Sequence, residues 1–508
     1  MSYRALERHF QRLGHLQHLS SILHWDEAVM MPRASGPKRA EATATLHVLM
    51  HEQLTDPRLA DLVAAAGEAG GEPLTPVEAA NLREIRRVVA RAACLPAKLV
   101  EQSSEARMRS EQAWRQKRAD NDFTGFAPLL TEVVVLTREI AQRTGDALGL
   151  SPYDALIDEY EPGARAVDID RIFAELRAFL PALTEQVLAR QAGEPVHTPR
   201  GPFPIAAQRA LGETLMLAVG FDGERGRLDV SHHPFCGGAP SDVRITTRYD
   251  EADFTSALMG VLHETGHAKY EQGLPSAWTA QPVGAARGMA IHESQSLLQE
   301  MQVSRSRAFV AFLTPHVHAA FPEAARAQPE AFTADNLYRF GTRVRRGKIR
   351  VDADEVTYPS HVLIRYDLER RLVDGSLAVR DIPEAWDAGM REMLGIATGD
   401  DHRDGCLQDV HWPSGAFGYF PSYTLGALTA AQLFAAAERA LPDLRADIAR
   451  GDFAPLNTFL RDAVWSQASI LPNAELLTHA TGAPLSTRWF EAHLRRRYLG
   501  EEARGDGA

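Results

Sequence analysis

Hydrophobic positions recur at spacings of three and four along most of the chain, the period of one face of an α-helix. The clearest case is 124–147, TGFAPLLTEVVVLTREIAQRTGDA. Pro128 sits near its start, where a missing N–H costs little. The same period predicts helices over about 36–52, 77–118, 168–191, 203–218, 429–449 and 472–497. Pro and Gly gather at 192–202 and 232–240, which read as loops and not as domain linkers. A single domain over 1–508 is therefore expected. One segment departs from the helical period: 242–249, DVRITTRY, alternates and is rich in β-branched residues, so it predicts a strand. Residues 227–231, RLDVS, offer it a partner across the Gly/Pro loop. The pattern describes a mainly α chain with one small sheet and no repeating unit.

Composition narrows the classes. The 508 residues include 55 Lys and Arg against 67 Asp and Glu, for a net charge of −12 and an isoelectric point near 5.9. A nucleic-acid partner would want a basic face, so none is expected. The hydrophobic share of 45% can fill a large core. Cys94, Cys236 and Cys406 are odd in number and far apart, which predicts free thiols in a reducing, cytoplasmic compartment. The N-terminal MSYRALERHFQRLGHL is charged and amphipathic, unlike a secretory signal. No window approaches the roughly 18 apolar residues of a membrane span, so no membrane partner is expected.

The candidate chemistry follows the strand directly. Residues 250–273, DEADFTSALMGVLHETGHAKYEQG, predict a helix capped by Asp250 and stopped at Gly273. Within it lies His263-Glu264-Thr265-Gly266-His267, an HExxH motif. Positions i and i+4 share one helix face, so the two imidazoles can ligate one Zn²⁺. Glu264 can take a proton from a water beside the ion. The apolar SALMGVL before the motif predicts a buried helix, where imidazoles and a carboxylate need partners.

A catalytic zinc site usually has three protein ligands and an open position. The third is expected from a helix over 284–305, GAARGMAIHESQSLLQEMQVSR, which offers Glu293 and Glu300. Glu293, 26 positions after His267 and beside apolar Met289-Ala290-Ile291, is the expected ligand. Glu300 is expected behind it or on the surface. His292 points about 100° away from Glu293 on a helix. His316 and His318 could chelate a metal in an extended chain, but Pro315 favours a helix start there, and His232-His233 could face the centre from a loop. The arginines at 495–497 and Arg343, Arg345 and Arg346 are expected on solvated faces.

HETGH followed by IHESQ resembles the thermostable carboxypeptidase Taq family of zinc metallopeptidases. The likeness extends to His233-Pro234-Phe235, to DxRxT at 242–246, to IRxxAD at 349–354 and to GxxQDxHW at 405–412. It also takes in HWDEAVMMP at 24–32 and FGYFPSYTLG at 417–426, and so spans nearly the whole chain. One departure is Ala427, where the family pattern has Asn. The resemblance implies a large, mainly α zincin-type peptidase with a long substrate groove and a small β-sheet next to the HExxH helix. An N-terminal helical part, about 1–200, would cover the groove, and a catalytic part would span about 225–430. The implied activity is stepwise, broad-specificity release of C-terminal residues from peptides by a homodimer; Zn²⁺ is the default ion, and Co²⁺ would fit the same N/O ligands. An oligopeptidase or dipeptidyl carboxypeptidase on the same site is the alternative. A helical scaffold with a structural metal would have no use for Glu264.

An exopeptidase must read a terminal carboxylate, and Arg suits that by its planar fork. Arg350 and Arg244 are the candidates. The competing expectation is a salt bridge, of Arg350 with Asp352 or Asp354 and of Arg244 with Asp242 or Asp250. The segment HWPSGAFGYF also resembles the part of angiotensin-converting enzyme that offers His and Tyr to the substrate. By that likeness His411 and Tyr419 are expected at the oxyanion or scissile amide, with Tyr423 beside them.

Overall fold

The computed structural model describes residues 2–66 and 73–501, and helices dominate it. The 124–147 pattern becomes Phe123–Leu148, opened by Asp122, whose carboxylate accepts the Gly125 N–H at 2.7 Å, and closed by Gly149 at φ 67°. Three other predicted helices are each two. The span 77–118 divides at Leu95-Pro96 into Pro76–Ala93 and Ala97–Ala119. The span 429–449 divides at Leu441-Pro442 between Pro421–Ala440 and Leu444–Arg450. The span 472–497 divides around Gly482 and Pro484 into Asn473–Thr481 and Arg488–Leu494. In each case proline removes a helical N–H and turns the preceding residue away from the helix, which outweighs an unbroken apolar period.

Three strands form the sheet: β1 (Gly226–Val230), β2 (Cys236–Ala239) and β3 (Asp242–Thr247), in spatial order β1-β3-β2. The expected pair is present but parallel, with Leu228 opposite Ile245. Part of the stretch read as a loop is itself the antiparallel strand β2, with Cys236 opposite Ile245. Two glycines hid that strand from a reading based on β-branched residues.

The HExxH helix runs Phe254–Gly273. Its cap is Asp253 and not Asp250: the Asp253 carboxylate accepts the Thr255 N–H at 2.8 Å. Two apolar bodies enclose the helix. Val261 and Ala268 pack with Val243 and Ile245 of the sheet. Leu258, Leu262 and Tyr270 join a core with Phe203, Leu215, Phe309 and Leu433. A second large core is built around Phe126, Leu176, Leu363, Trp386 and Phe420. A smaller one, with Leu6, Phe10, Leu59 and Ile85, holds the N-terminal helices together. The HExxH helix is thus buried on almost every face, and its polar residues must find partners inside.

The helix expected over 284–305 begins late and changes pitch. Its α-helical part is Met289–Leu297, and Leu298–Ser304 winds as a π-helix. Gly288 precedes it at φ 43°, and the buried Glu161 carboxylate accepts the Ala290 N–H in its first turn. Such π-segments shift the direction of every later side chain, here that of Glu300.

Candidate active site

The two motif histidines and Glu293 converge. His267 Nε2 lies 3.3 Å from Glu293 Oε2, and His263 Nε2 lies 4.0 Å from the same oxygen. One donor atom from each of the three falls within 4.8 Å of the others. Tetrahedral bonds of about 2.0–2.1 Å place donors roughly 3.3 Å apart, so the set fits a zinc-sized ion with little adjustment.

The other ring nitrogens are occupied. His263 Nδ1 pairs with Glu300 Oε2 at 3.0 Å, and His267 Nδ1 donates to the His292 carbonyl at 3.0 Å. These bonds fix both rings with Nε2 turned toward Glu293. Glu300 is therefore a partner of His263 and not a surface residue, and its second oxygen accepts Arg305 Nη2 at 2.7 Å. The His292 ring stacks on His267 with centroids 4.4 Å apart while its Nε2 pairs with Glu271 at 2.9 Å.

The electrostatics suit a cation. Burial pushes Glu264 up to about 7 against the opposing charge of His263. Burial pushes His267 down to about 4, toward the neutral form that can ligate. Burial alone would raise Glu293, but its hydrogen bond with His267 and the charge of His263 outweigh it and hold the carboxyl at about 2. Burial also opposes charge on His263, yet the Glu300 hydrogen bond and the Glu293 and Glu264 charges carry it up to about 10. Carboxylates that attract a proton so strongly also favour a divalent ion.

The aromatic segment faces the same place. Tyr423 stands one turn before Gly426, which packs on Glu293. The Tyr423 hydroxyl pairs with His411 Nε2 at 3.0 Å. The Tyr419 ring is 5.6 Å from His411 and 5.2 Å from Tyr423. Burial, then the Glu293 charge, raises the Tyr419 phenol. Burial pushes His411 down to about 3, although Asp409 opposes it, so the ring is neutral.

Arg350 is buried and paired, but with neither expected aspartate. Its Nη2 bonds Asp409 Oδ1 at 2.8 Å and its Nη1 the Tyr358 hydroxyl at 2.8 Å. The guanidinium lies 4.8 Å from the Tyr423 ring centre. Asp409 also receives Arg365 Nε at 2.6 Å, so two guanidinium groups share one carboxylate. Asp354 instead caps the turn at Val356 and Thr357. Arg244 makes the bridge expected of it, bidentate to Asp242 at 2.8 Å, and lies 4.1 Å from the Trp25 ring centre.

The weaker sequence candidates fall elsewhere. His318 bonds the Phe332 carbonyl and His316 packs on Phe312. His232 and His233 meet edge to face, ring centres 4.6 Å apart, between β1 and β2. Arg346 pairs with Glu185 and Arg343 with the Gln191 carbonyl. Arg497 is not on a solvated face: its buried side chain pairs with Glu355 at 2.9 Å. The three cysteines are free. Sequence reasoning passed over Arg365 and Glu369. Their signal was His361, Arg365 and Glu369 at four-residue spacing among Val362, Leu363, Ile364, Leu368 and Leu372, a polar stripe inside an apolar helix.

Residues 5–498 match the family model described as carboxypeptidase Taq (M32) metallopeptidase. The chain is 39% identical to thermostable carboxypeptidase 1 of Thermus thermophilus over 503 residues, covering 96% of this chain and 97% of that protein. The solved structure of Trypanosoma cruzi metallocarboxypeptidase 1 superposes with a TM-score of 0.95 at 42% identity, covering 98% of this chain and 99% of that one. The M32 carboxypeptidase from Deinococcus radiodurans superposes at 0.92 with 38% identity and the same coverage. With a donor set fit for a divalent ion inside a mainly α body, the chain belongs to the carboxypeptidase Taq (M32) family and is a metallocarboxypeptidase that hydrolyses peptides.

Proposed function

We propose that this peptidase removes C-terminal amino acids one at a time and with broad specificity, using Zn²⁺ or Co²⁺ held by His263, His267 and Glu293. The observation that carries this reading is the meeting of those three side chains beside the buried Glu264. When bound, the ion supplies Lewis-acid polarisation of the scissile carbonyl and of a water. Glu264 takes the proton of that water and delivers it to the leaving amine, the role of a general base that then acts as general acid. Tyr419 donates its hydroxyl proton as a hydrogen bond to the oxyanion, and neutral His411 bonds the oxyanion or the scissile amide.

Arg350 reads the terminal carboxylate, with Tyr423 beside it. The pairing of Arg350 and Arg365 with the single Asp409 supports this choice, since it leaves one positive charge uncompensated. Arg244 is already neutralised by Asp242. The N-terminal part, about 1–200, covers the groove within one domain over 1–508, and the Trp25 ring against Arg244 and Arg227 helps tie it to the sheet. The enzyme is a cytoplasmic homodimer. The free cysteines support the compartment, and the helix Gly36–Leu54, which buries none of its side chains and exposes Val48 and Leu49, offers an apolar face for a second copy. Sedimentation of the full chain tests the dimer.

The activity is tested by incubating metal-loaded protein with a ladder of blocked peptides and reading the products by mass spectrometry. Single free amino acids are expected. Dipeptides or internal fragments would replace this reading with a dipeptidyl carboxypeptidase or an oligopeptidase.

A further inference from the structure

Glu369 is fully buried in the helix Tyr358–Asp374, and its carboxylate meets three donors. Oε2 accepts the Trp412 Nε1–H at 3.0 Å. Oε1 accepts the Tyr153 hydroxyl at 3.1 Å and also the Gly418 N–H. Trp412 directly follows His411, and Gly418 directly precedes Tyr419. One carboxylate thus grips the chain beside both side chains assigned to the reacting amide.

The chemistry of the partners requires an acceptor on both oxygens. An indole and a backbone N–H can only donate, so an amide in place of the carboxylate would set donor against donor at one end. No cationic side chain pairs with Glu369 among the described residues, and burial pushes its carboxyl up to about 7. A buried carboxylate without a cation is costly, and packing alone gives no reason to keep one. The segment it holds is otherwise tightly confined. Gly418 has φ 87°, and a Cβ there would stand 2.6 Å from the Leu156 carbonyl carbon. The Ala416 N–H donates to the His411 carbonyl at 2.7 Å, closing the turn between the two gripped points.

We propose that Glu369 is a positioning residue for the peptidase reaction: its carboxylate anchors the 411–419 turn at both ends and so sets where the His411 ring and the Tyr419 hydroxyl meet the substrate. The inference rests on the roles given to His411 and Tyr419 above.

The test is a set of single and combined variants of the full, metal-loaded chain, followed as kcat and KM separately. Glu369→Gln is expected to lower kcat on the order of 10- to 100-fold, with KM within about threefold, because misplacement of catalytic groups acts on the transition state. In a His411→Ala/Tyr419→Phe background the same change is expected to lower kcat by less than about twofold, since the groups it positions are gone. An unchanged kcat in Glu369→Gln, or an equal loss in both backgrounds, overturns the inference and leaves the site reading standing. If His411→Ala and Tyr419→Phe themselves leave kcat unchanged, the site reading fails first and the inference falls with it. Should Glu369→Gln not fold, Trp412→Phe removes the donor beside His411 together with part of the indole packing on Phe417 and Phe420, and the comparison between backgrounds separates the two effects. Its kcat loss is expected to vanish with His411→Ala and persist with Tyr419→Phe, and equal losses in the two backgrounds overturn the proposal.

Discussion

Gly426 stands directly against Glu293: a Cβ on the glycine would lie 2.8 Å from both Cβ and Cγ of the glutamate. On the opposite side, a Cβ on Gly266 within HETGH would lie 2.5 Å from the Gln295 carbonyl oxygen. The helix carrying Glu293 is therefore gripped between two others that approach as closely as backbone allows. Its side chain is placed by missing atoms on its neighbours as much as by its own bonds.

Gly426→Ala is accordingly expected to push Glu293 off the His263–His267 pair. Apparent Zn²⁺ affinity, followed by competition with a graded chelator, should fall at least about tenfold. Excess Zn²⁺ should restore part of the activity. Wild-type affinity in this variant would mean that Glu293 does not ligate or that its helix moves aside freely.

Metal removal and the two glutamates separate binding from chemistry. Chelation should abolish hydrolysis, and Zn²⁺ or Co²⁺ should return it. Glu264→Gln should keep its metal while kcat drops by about 10²–10⁴-fold, the usual worth of a general base. Glu293→Gln should instead lose metal. Measuring bound metal together with kcat checks both, and the reverse pattern would exchange the two roles.

Glu300→Ala removes the acceptor from His263 Nδ1 and leaves Arg305 without its carboxylate. Metal affinity should weaken by about 10- to 100-fold, as when other partners behind a ligating imidazole are lost. Glu300→Gln keeps an oxygen for the imidazole and should lose less. If both variants bind metal like wild type, the His263 ring is held by packing alone.

How much of this was readable beforehand depended on distance along the chain. The HExxH pair is local and periodic, and Glu293 needed only one helix to return beside another. Glu300 lay in the same predicted helix, but its aim at His263 depends on the π-turn from Leu298, which no apolar period announces. The arginines at 495–497 looked like a solvated run because the partner that buries Arg497, Glu355, lies 142 positions away. Distance along the chain also separates Arg350 from its partner: Asp352 and Asp354 lie near it in the chain, while Asp409 comes from another loop. Helix existence was legible, and helix ends failed where proline interrupted a continuing apolar stripe.

Recognition of the terminal carboxylate can be tested through the substrate. If Arg350 pairs with that group, amidating a peptide's C-terminus removes the pair. A buried charge-assisted bond is worth about 1.5–3 kcal/mol, so kcat/KM should fall roughly 10- to 150-fold. Arg350→Ala should cost a similar factor on free-acid peptides and then respond little to amidation. Because the readout is a ratio between two substrates of one variant, it stays meaningful even if loss of the Asp409 pair lowers stability. Arg244→Ala is the comparison, and with its guanidinium already committed to Asp242 it should keep the wild-type ratio. Equal cleavage of amidated and free-acid peptides by the wild type would remove the carboxylate-reading role from both arginines. Discrimination that survives Arg350→Ala and disappears in Arg244→Ala would assign the role to the strand arginine, with Trp25 and Asp242 then shaping its fork for the substrate.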